Sequence, residues 1–454
     1  MSRKSRQSNS PGQPPAPGIG RGGPAAKPSP AAAKTRREFL KTAGGLAACL
    51  PFLPEDLDFS GKVNPADVQL LRGAIESGSY VPEFDLNRDG VLDAQDIEQV
   101  QAHRGERAVR YAAHYYPWWG NGLQPPFHWS QGVTYEPVRG QYNSRDPALA
   151  HHQIQSACRY GLDTFLIEWI GPASTFQGLD ADRTVELALQ EGFLPALESA
   201  GGAARFAINY DAAIIFRRAF GFSMGHFDFS FAVVRERFLS DLLYLRDRYF
   251  GHPQYLKIEG RPLLHIYLTR EFVGDYALAF DQVHAQLDGQ IYLVGDEVWP
   301  GGETDLTRSS YLDAVTAYNF YGADWLEPVG FSYGAYTDMT EAILRTWRHA
   351  LGPVTNRYTG EPVRLVPGAI PDFNDTGLIN RNERNRPLVF GPDPAAEFGQ
   401  QIARLRPLVD RRLNLMVITS YNEFHEGTSV EEAREYGTSR LAALQAQKRY
   451  ARSV

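Results

Sequence analysis

Two glutamates three residues apart, Glu423 and Glu426, follow a run that is otherwise apolar, hydroxylic or amide, Leu415-Met416-Val417-Ile418-Thr419-Ser420-Tyr421-Asn422. On a regular helix an E-x-x-E pair is normally a solvated face. Here the preceding run reads as a buried strand, so both acids are expected to leave its end and project into one pocket. Two carboxyl groups in a pocket can work on a glycosidic bond, one protonated at the leaving oxygen and one ionised on the other side. Crowding and partial desolvation hold one of the two protonated while the other stays ionised.

Further groups stand where strands are expected to end. His114-Tyr115-Tyr116-Pro117-Trp118-Trp119 closes one run, Glu168-Trp169 a second and Asp296-Glu297 a third. Tyr116, Trp118, His128, Trp129, Trp169, Tyr267, Tyr318 and Tyr421 can stack on a sugar or bond to it, and each is as readily core packing. Glu168, Glu297 and Asn422 are polar candidates for the same pocket. His151-His152 lacks a third ligand at useful spacing and is read as a helix surface, and Cys158 as the core face of that helix.

A different chemistry is written in Asp56-Leu57-Asp58-Phe59-Ser60-Gly61-Lys62-Val63-Asn64-Pro65-Ala66-Asp67, which places oxygen side chains at positions 1, 3, 5, 9 and 12. Twenty-nine residues on, Asp85, Asn87, Asp89, Asp93 and Asp96 repeat the spacing, with the carbonyls of Lys62 and Val91 at position 7. A hard cation such as Ca²⁺ takes about six to eight oxygens at roughly 2.4 Å and needs a sharp turn at position 6, where Gly61 and Gly90 stand. Each loop runs into an apolar-periodic helix.

The elements that must position the two glutamates lie in residues 107–454. Eight apolar runs alternate with helical patterns: Ala108–Tyr116, Thr164–Trp169, Phe206–Asn209, Pro262–Leu268, Ile291–Val294, Ala314–Tyr318, Arg364–Ala369 and Leu415–Tyr421. Near-continuous apolar strands between helices predict a parallel sheet covered on both faces, here a (β/α)8 TIM barrel with its working groups at the strands' C-terminal ends. The chain divides into a basic leader (1–54), a paired calcium-loop module (55–104) and the barrel (107–454).

Of 454 residues, 43% are hydrophobic and 22% charged, an ordinary globular composition. The net charge of −7 is uneven: residues 1–41 hold nine Lys/Arg and one Glu, a balance of +8, which leaves −15 for the rest. An acidic body argues against nucleic acid as partner. Residues 1–34, rich in Pro, Ser, Gly and Ala, are expected to be disordered. No apolar run is long enough to span a bilayer. Two cysteines, Cys49 and Cys158, exclude a disulfide scaffold.

Thr35-Arg36-Arg37-Glu38-Phe39-Leu40-Lys41 before a small-residue apolar stretch resembles a twin-arginine export signal, which implies passage through that machinery to the periplasm, cell surface or exterior. Leu46-Ala47-Ala48-Cys49 is similar to a lipobox, with a buried or discarded cysteine as the alternative. The duplicated loops, with Asp at position 12 and one helix each, resemble dockerin modules. That resemblance implies two Ca²⁺ ions and a cohesin-like partner, with a calcium-stapled spacer as the alternative.

Tyr115-Tyr116-Pro117-Trp118-Trp119-Gly120, His128-Trp129, Gly140-Gln141-Tyr142-Asn143-Ser144-Arg145-Asp146, Lys257-Ile258-Glu259-Gly260-Arg261-Pro262 and Tyr421-Asn422-Glu423-Phe424-His425-Glu426-Gly427-Thr428-Ser429-Val430-Glu431 resemble glycoside hydrolase family 99, the endo-α-mannosidases and endo-mannanases. The resemblance implies a retaining α-glycosidase for mannose-containing carbohydrate, needing no cofactor for catalysis. By it, Glu423 deprotonates the sugar 2-hydroxyl to give a 1,2-anhydro intermediate, and Glu426 protonates the leaving oxygen and then activates water. Phe424 replaces a tryptophan of that signature, and Glu168 stands where the family more often has a small polar residue. The competing readings are a surface-polysaccharide biosynthesis enzyme and a non-catalytic carbohydrate-binding or scaffold component.

Overall fold

The computed structural model describes residues 55–57, 62–81, 84–87, 89–105, 107–120, 128–175, 181–200, 204–222, 226–299, 306–318, 320, 331–379 and 387–450. The expectations for the leader, Arg36, Arg37 and Cys49, and for Asp58 and Ser60 of the first loop, lie outside these residues. Among the described residues no helix is long and apolar enough to cross a membrane.

The two calcium-loop segments fold alike, as their repeated spacing requires. Asn64 caps α1 (Pro65–Glu76) and Asp93 caps α2 (Ala94–Ala102), each with a reciprocal capping box through the aspartate at loop position 12. The other oxygen of that aspartate reaches back to the loop's start: Leu57 N–H donates to Asp67 at 2.7 Å and Leu86 N–H to Asp96 at 2.7 Å. Both aspartates are fully buried. Leu57, Val63, Leu71, Phe84 and Val100 form a small apolar cluster between the helices.

The second loop has the shape its donors suggest. Asp85 accepts N–H bonds from Asp89 and Gly90, and Gly90 takes φ +88°, a left-handed turn that a side chain would strain. The donor set is entirely oxygen, which fits Ca²⁺ and not a softer metal. Among the described residues no three acidic, histidine or cysteine side chains converge as a ligand cluster. Neighbouring carboxylates repel one another unless a cation lies between them.

All eight expected strands form, as β1 (Arg110–Tyr115), β2 (Leu162–Trp169), β3 (Arg205–Asp211), β4 (Arg261–Tyr267), β5 (Tyr292–Asp296), β6 (Ala314–Thr316), β7 in two pieces (Arg364–Leu365 and Gly368–Ala369) and β8 (Leu415–Ile418). Every neighbouring pair is parallel. The ring closes through β7, whose first piece pairs with β6 and second with β8. Pro367, without an N–H, sits at the break. β1 ends one residue and β8 three residues earlier than their apolar runs, because Tyr116 and Thr419 onward leave the ladder to build loops.

Strand alternation sends Tyr115, Phe165, Trp169 and Tyr210 outward against helices, and His114, Tyr116, Glu168, Asn209, Asp211, His265 and Tyr267 inward. The outward residue Tyr115 donates its hydroxyl to Gln153 of α3 (Pro147–Arg159), where Cys158 is also buried in the core. Replacing Asp96 by Ala removes the acceptor for Leu86 and Asp93 N–H. The expected loss is about 1–2 kcal/mol, confined to the module, as lost amide protection in peptides spanning residues 84–102 with barrel peptides unchanged in hydrogen-exchange mass spectrometry.

Candidate active site

The loop after β8 is tied to the ends of two other strands before it presents its acids. Thr419 Oγ1 donates to the Tyr318 carbonyl at 2.7 Å, beyond β6. Tyr421 N–H donates to the His114 carbonyl of β1 at 2.7 Å. The Asn422 carboxamide clamps Tyr116 twice, accepting its N–H at 2.7 Å and donating to its carbonyl at 3.0 Å. Ser420 Oγ accepts the Glu423 N–H at 2.7 Å and pairs with Thr428 Oγ1 at 3.0 Å, so the loop turns back on itself. Gly427 makes that return at φ +66°, where a Cβ would stand 2.5 Å from the Asn374 carbonyl.

This scaffold brings Glu423 and Glu426 together at the barrel mouth. Glu423 is 3% exposed and accepts the His425 N–H at 2.8 Å. Burial, and then the Glu426 charge, push its carboxyl well above the usual carboxylate range, against backbone N–H bonds that pull it down. Glu426 is less buried and accepts from the Tyr318 hydroxyl at 3.3 Å, which itself receives the Tyr116 hydroxyl at 2.7 Å. Tyr267 packs edge-on to Tyr318 with ring centres 5.1 Å apart.

An aromatic wall stands beside the acids. Trp118 stacks on His128 (4.8 Å, 11°) and packs at a tilt against Tyr116 (4.4 Å, 30°), and His425 donates to the His128 carbonyl through Nε2 at 3.1 Å, which requires its proton on Nε2. Burial holds His128 down at about 3 and His425 at about 4, so both are neutral imidazoles near pH 7. Among the described residues, Trp118 Nε1 and His128 Nδ1 are buried without a hydrogen-bond partner.

Of the residues expected at the site from sequence, Tyr116, Trp118, His128, Glu168, Tyr267, Tyr318, Glu423 and Glu426 gather here. Five others have supporting duties. Trp169 is fully buried outside the barrel, its indole N–H on Glu186, because it follows the inward Glu168 by one residue. Tyr421 stacks on Tyr115 and bonds to Gln153 of α3, Trp129 donates to the Tyr142 carbonyl within a second aromatic cluster, and Asn422 is the clamp already described. Glu297 is held by Arg308 through contacts of 2.8, 2.9 and 2.8 Å in a buried pair, so its carboxylate is fully occupied. Its neighbour Asp296 pairs with Arg270 at 2.5 Å and accepts the Tyr318 N–H.

Sequence reading missed Asn209, Asp211 and His265, which enter the barrel beside Glu168. A strict i, i+2 count along β3 and β4 carries that signal. Asn209 Nδ2 donates to Glu168 Oε2 at 2.5 Å, and its Oδ1 meets His265 Nδ1 at 2.6 Å. His151 and His152 lie half-buried on α3, as their helix-surface reading expects.

Residues 54–103 match the dockerin type I domain model. The chain is similar to the solved endo-alpha-mannosidase of glycoside hydrolase family 99 from Bacteroides thetaiotaomicron bound to bis-tris propane, with 17% identity, 74% of this chain and 95% of that chain covered, and a TM-score of 0.51. A second structure of that endo-alpha-mannosidase gives 16% identity, coverages of 74% and 96%, and a TM-score of 0.51. A glycoside hydrolase-like protein gives 16% identity, coverages of 76% and 95%, and a TM-score of 0.54. At these identities the likeness is one of fold, a (β/α)8 barrel. No curated protein matches the chain.

The Arg308–Glu297 pair supports the wall beneath the site, and breaking it leaves a buried charge alone. Arg308→Met is expected to destabilise the protein by about 3–5 kcal/mol, and adding Glu297→Met should recover much of the loss. Urea midpoints of the two variants against the parent check this.

Proposed function

We propose that the protein is an exported retaining glycoside hydrolase that cleaves α-mannose-containing glycans or polysaccharides. The observation that carries the reading is the pairing of Glu423, buried with a raised affinity for protons, with the more exposed Glu426 at the C-terminal mouth of a barrel. The similar fold of an endo-alpha-mannosidase supports the substrate class.

The proposed chemistry needs no protein nucleophile. Glu423 takes the proton from the sugar 2-hydroxyl, and O2 attacks the anomeric carbon as the bond to the leaving oxygen breaks. Glu426, protonated, gives its proton to that oxygen. Glu426, now a carboxylate, takes a proton from a water that opens the 1,2-anhydro ring at the anomeric carbon, and O2 regains a proton from Glu423. Two inversions give retention. A raised carboxyl makes Glu423 a stronger base toward a hydroxyl than an ordinary glutamate. Trp118, Tyr116 and Tyr267 supply faces for the sugar, and the partnerless Trp118 Nε1 and His128 Nδ1 supply polar contacts.

Calcium fits the oxygen donors of the duplicated loops. Asp56, Asp58, Ser60, Asn64 and Asp67 with the Lys62 carbonyl would hold one ion, and Asp85, Asn87, Asp89, Asp93 and Asp96 with the Val91 carbonyl a second. Bound Ca²⁺ would neutralise the clustered carboxylates and rigidify residues 55–104 as a unit that docks on a cohesin-like protein. The same division of labour makes residues 107–454 the hydrolase and residues 1–54 a leader carrying the export signal.

Glu426→Gln and Glu423→Gln are each expected to lower kcat at least about a thousandfold on α-mannan oligosaccharides, with binding retained in calorimetry. Unchanged turnover in either variant refutes the assignment. Because Glu423 must be ionised to act and its carboxyl is raised, kcat/KM should fall on the acid side at a pH well above that of an ordinary glutamate. In Glu426→Gln, which removes the neighbouring charge, the residual activity should show that limb moved to lower pH. Adding Ca²⁺ to the chelator-treated protein should protect the amides of residues 84–102 from exchange, and no change removes the calcium assignment.

A further inference from the structure

Two and three strands round the barrel from β8, whose following loop carries Glu423 and Glu426, lies another arrangement of acids. Glu168 ends β2 and Asp211 ends β3, and the two strands pair in register, with Glu168 opposite Asn209. Asn209 and Asp211 are two residues apart, so both enter the barrel beside Glu168. Glu168 is 2% exposed and Asp211 6%. Asn209 occupies one oxygen of Glu168 at 2.5 Å, and Asp211 caps the helix Ala212–Phe220 by accepting the Ile214 N–H at 2.8 Å.

The remaining oxygen, Glu168 Oε1, is buried with no donor to satisfy it. The Asp211 carboxyl is a side-chain neighbour of Glu168, and two ionised carboxylates cannot bond to each other. One proton between them resolves the contact. Burial, followed by the Asp211 charge, raises the Glu168 carboxyl well above its ordinary range, and the bond to Asp211 places the proton on Glu168. Orphaned imidazole nitrogens share this layer: His265 Nε2 and both nitrogens of His114 are buried without partners. Polar atoms left open in this way beneath an aromatic mouth are complementary to a ligand rich in hydroxyls.

We infer that Glu168 and Asp211 act as one proton-sharing pair that grips adjacent hydroxyls of the reacting sugar, on the side away from the bond broken at Glu423 and Glu426. An acid that holds a proton offers a donor and an acceptor to a diol, where an ionised pair offers only acceptors. The Glu423 charge helps to raise the Glu168 carboxyl, and Tyr116 feels Glu168, Glu423 and Glu426 together, so one ring spans both pairs. The pair selects a neutral hydroxyl-bearing sugar and disfavours a sulfated or carboxylated one by charge repulsion. Glu168 and Asp211 are specificity residues for the proposed hydrolysis, and the inference rests on that function.

The test uses the full chain and aryl α-mannobiosides in which the 3-, 4- or 6-hydroxyl of the reacting sugar is replaced by hydrogen in turn. In the parent protein, one replacement should raise KM at least tenfold. Glu168→Ala should raise KM for the unmodified substrate at least tenfold, change kcat less than threefold, and respond to that same replacement less than twofold. Glu168→Gln keeps an acceptor for Asn209 and a donor for Asp211, so its KM should stay within threefold of the parent. A purely structural role would leave the response to the deoxy substrates unchanged, and that result overturns the inference, as does an unaltered KM in Glu168→Ala. Should Glu168→Ala not fold, Asp211→Asn, which keeps the helix cap, is read on the same substrates with the same criterion. A parent protein with no turnover of any α-mannoside removes the hydrolase function itself, an outcome visible before any variant is made.

Discussion

Placing several carboxyl groups in one nearly dry space is the constraint on which this molecule depends. Glu423, Glu426, Glu168 and Asp211 meet at the C-terminal end of a single barrel, and an isolated buried carboxylate is costly. The structure offsets that cost unevenly. Glu423 receives two backbone N–H groups from its own turn, Glu168 an amide from Asn209, and Asp211 the first turn of a helix. What these donors do not offset is met by retained protons, and retained protons are what acid–base chemistry requires.

The same principle separates the acids proposed to do chemistry from those that support them. Asp296, Glu297 and Asp372 are as deeply buried as Glu423, yet each has an arginine: Arg270, Arg308 and Arg440. Arg440 also donates to the carbonyls of Gly427 and Ser429 at 3.0 and 2.7 Å, so one buried ion pair fixes the return of the loop that carries Glu426. Glu431 has no such cation. It accepts from Tyr142 and Gln153 and is pushed up to about 7, a buried anchor between the loop and α3.

The calcium-loop module obeys its own version of this rule. Asp67 and Asp96 are fully buried and each accepts backbone N–H groups from its loop and helix start. Its small apolar cluster is far from the size of the barrel core, which is where a bound divalent ion contributes most to stability.

Much of this was legible in one dimension. The eight strands were readable because parallel strands covered on both faces must be apolar almost throughout, and the paired loops because oxygen ligands for a hard cation recur at fixed spacing. Glu423 and Glu426 stood out because charge directly after a buried strand has few places to go. Which neighbours join them was not legible. The inward or outward sense of Glu168 against Trp169 turns on a single residue of register, the pairing of Glu297 with Arg308 joins a strand end to a later helix, and Asn209, Asp211 and His265 become site residues only when β2, β3 and β4 lie side by side. Sequence sets the residues and periodicities of each strand by itself; the barrel's closure, which brings chemistry from distant strands into one volume, decides which of them share a proton.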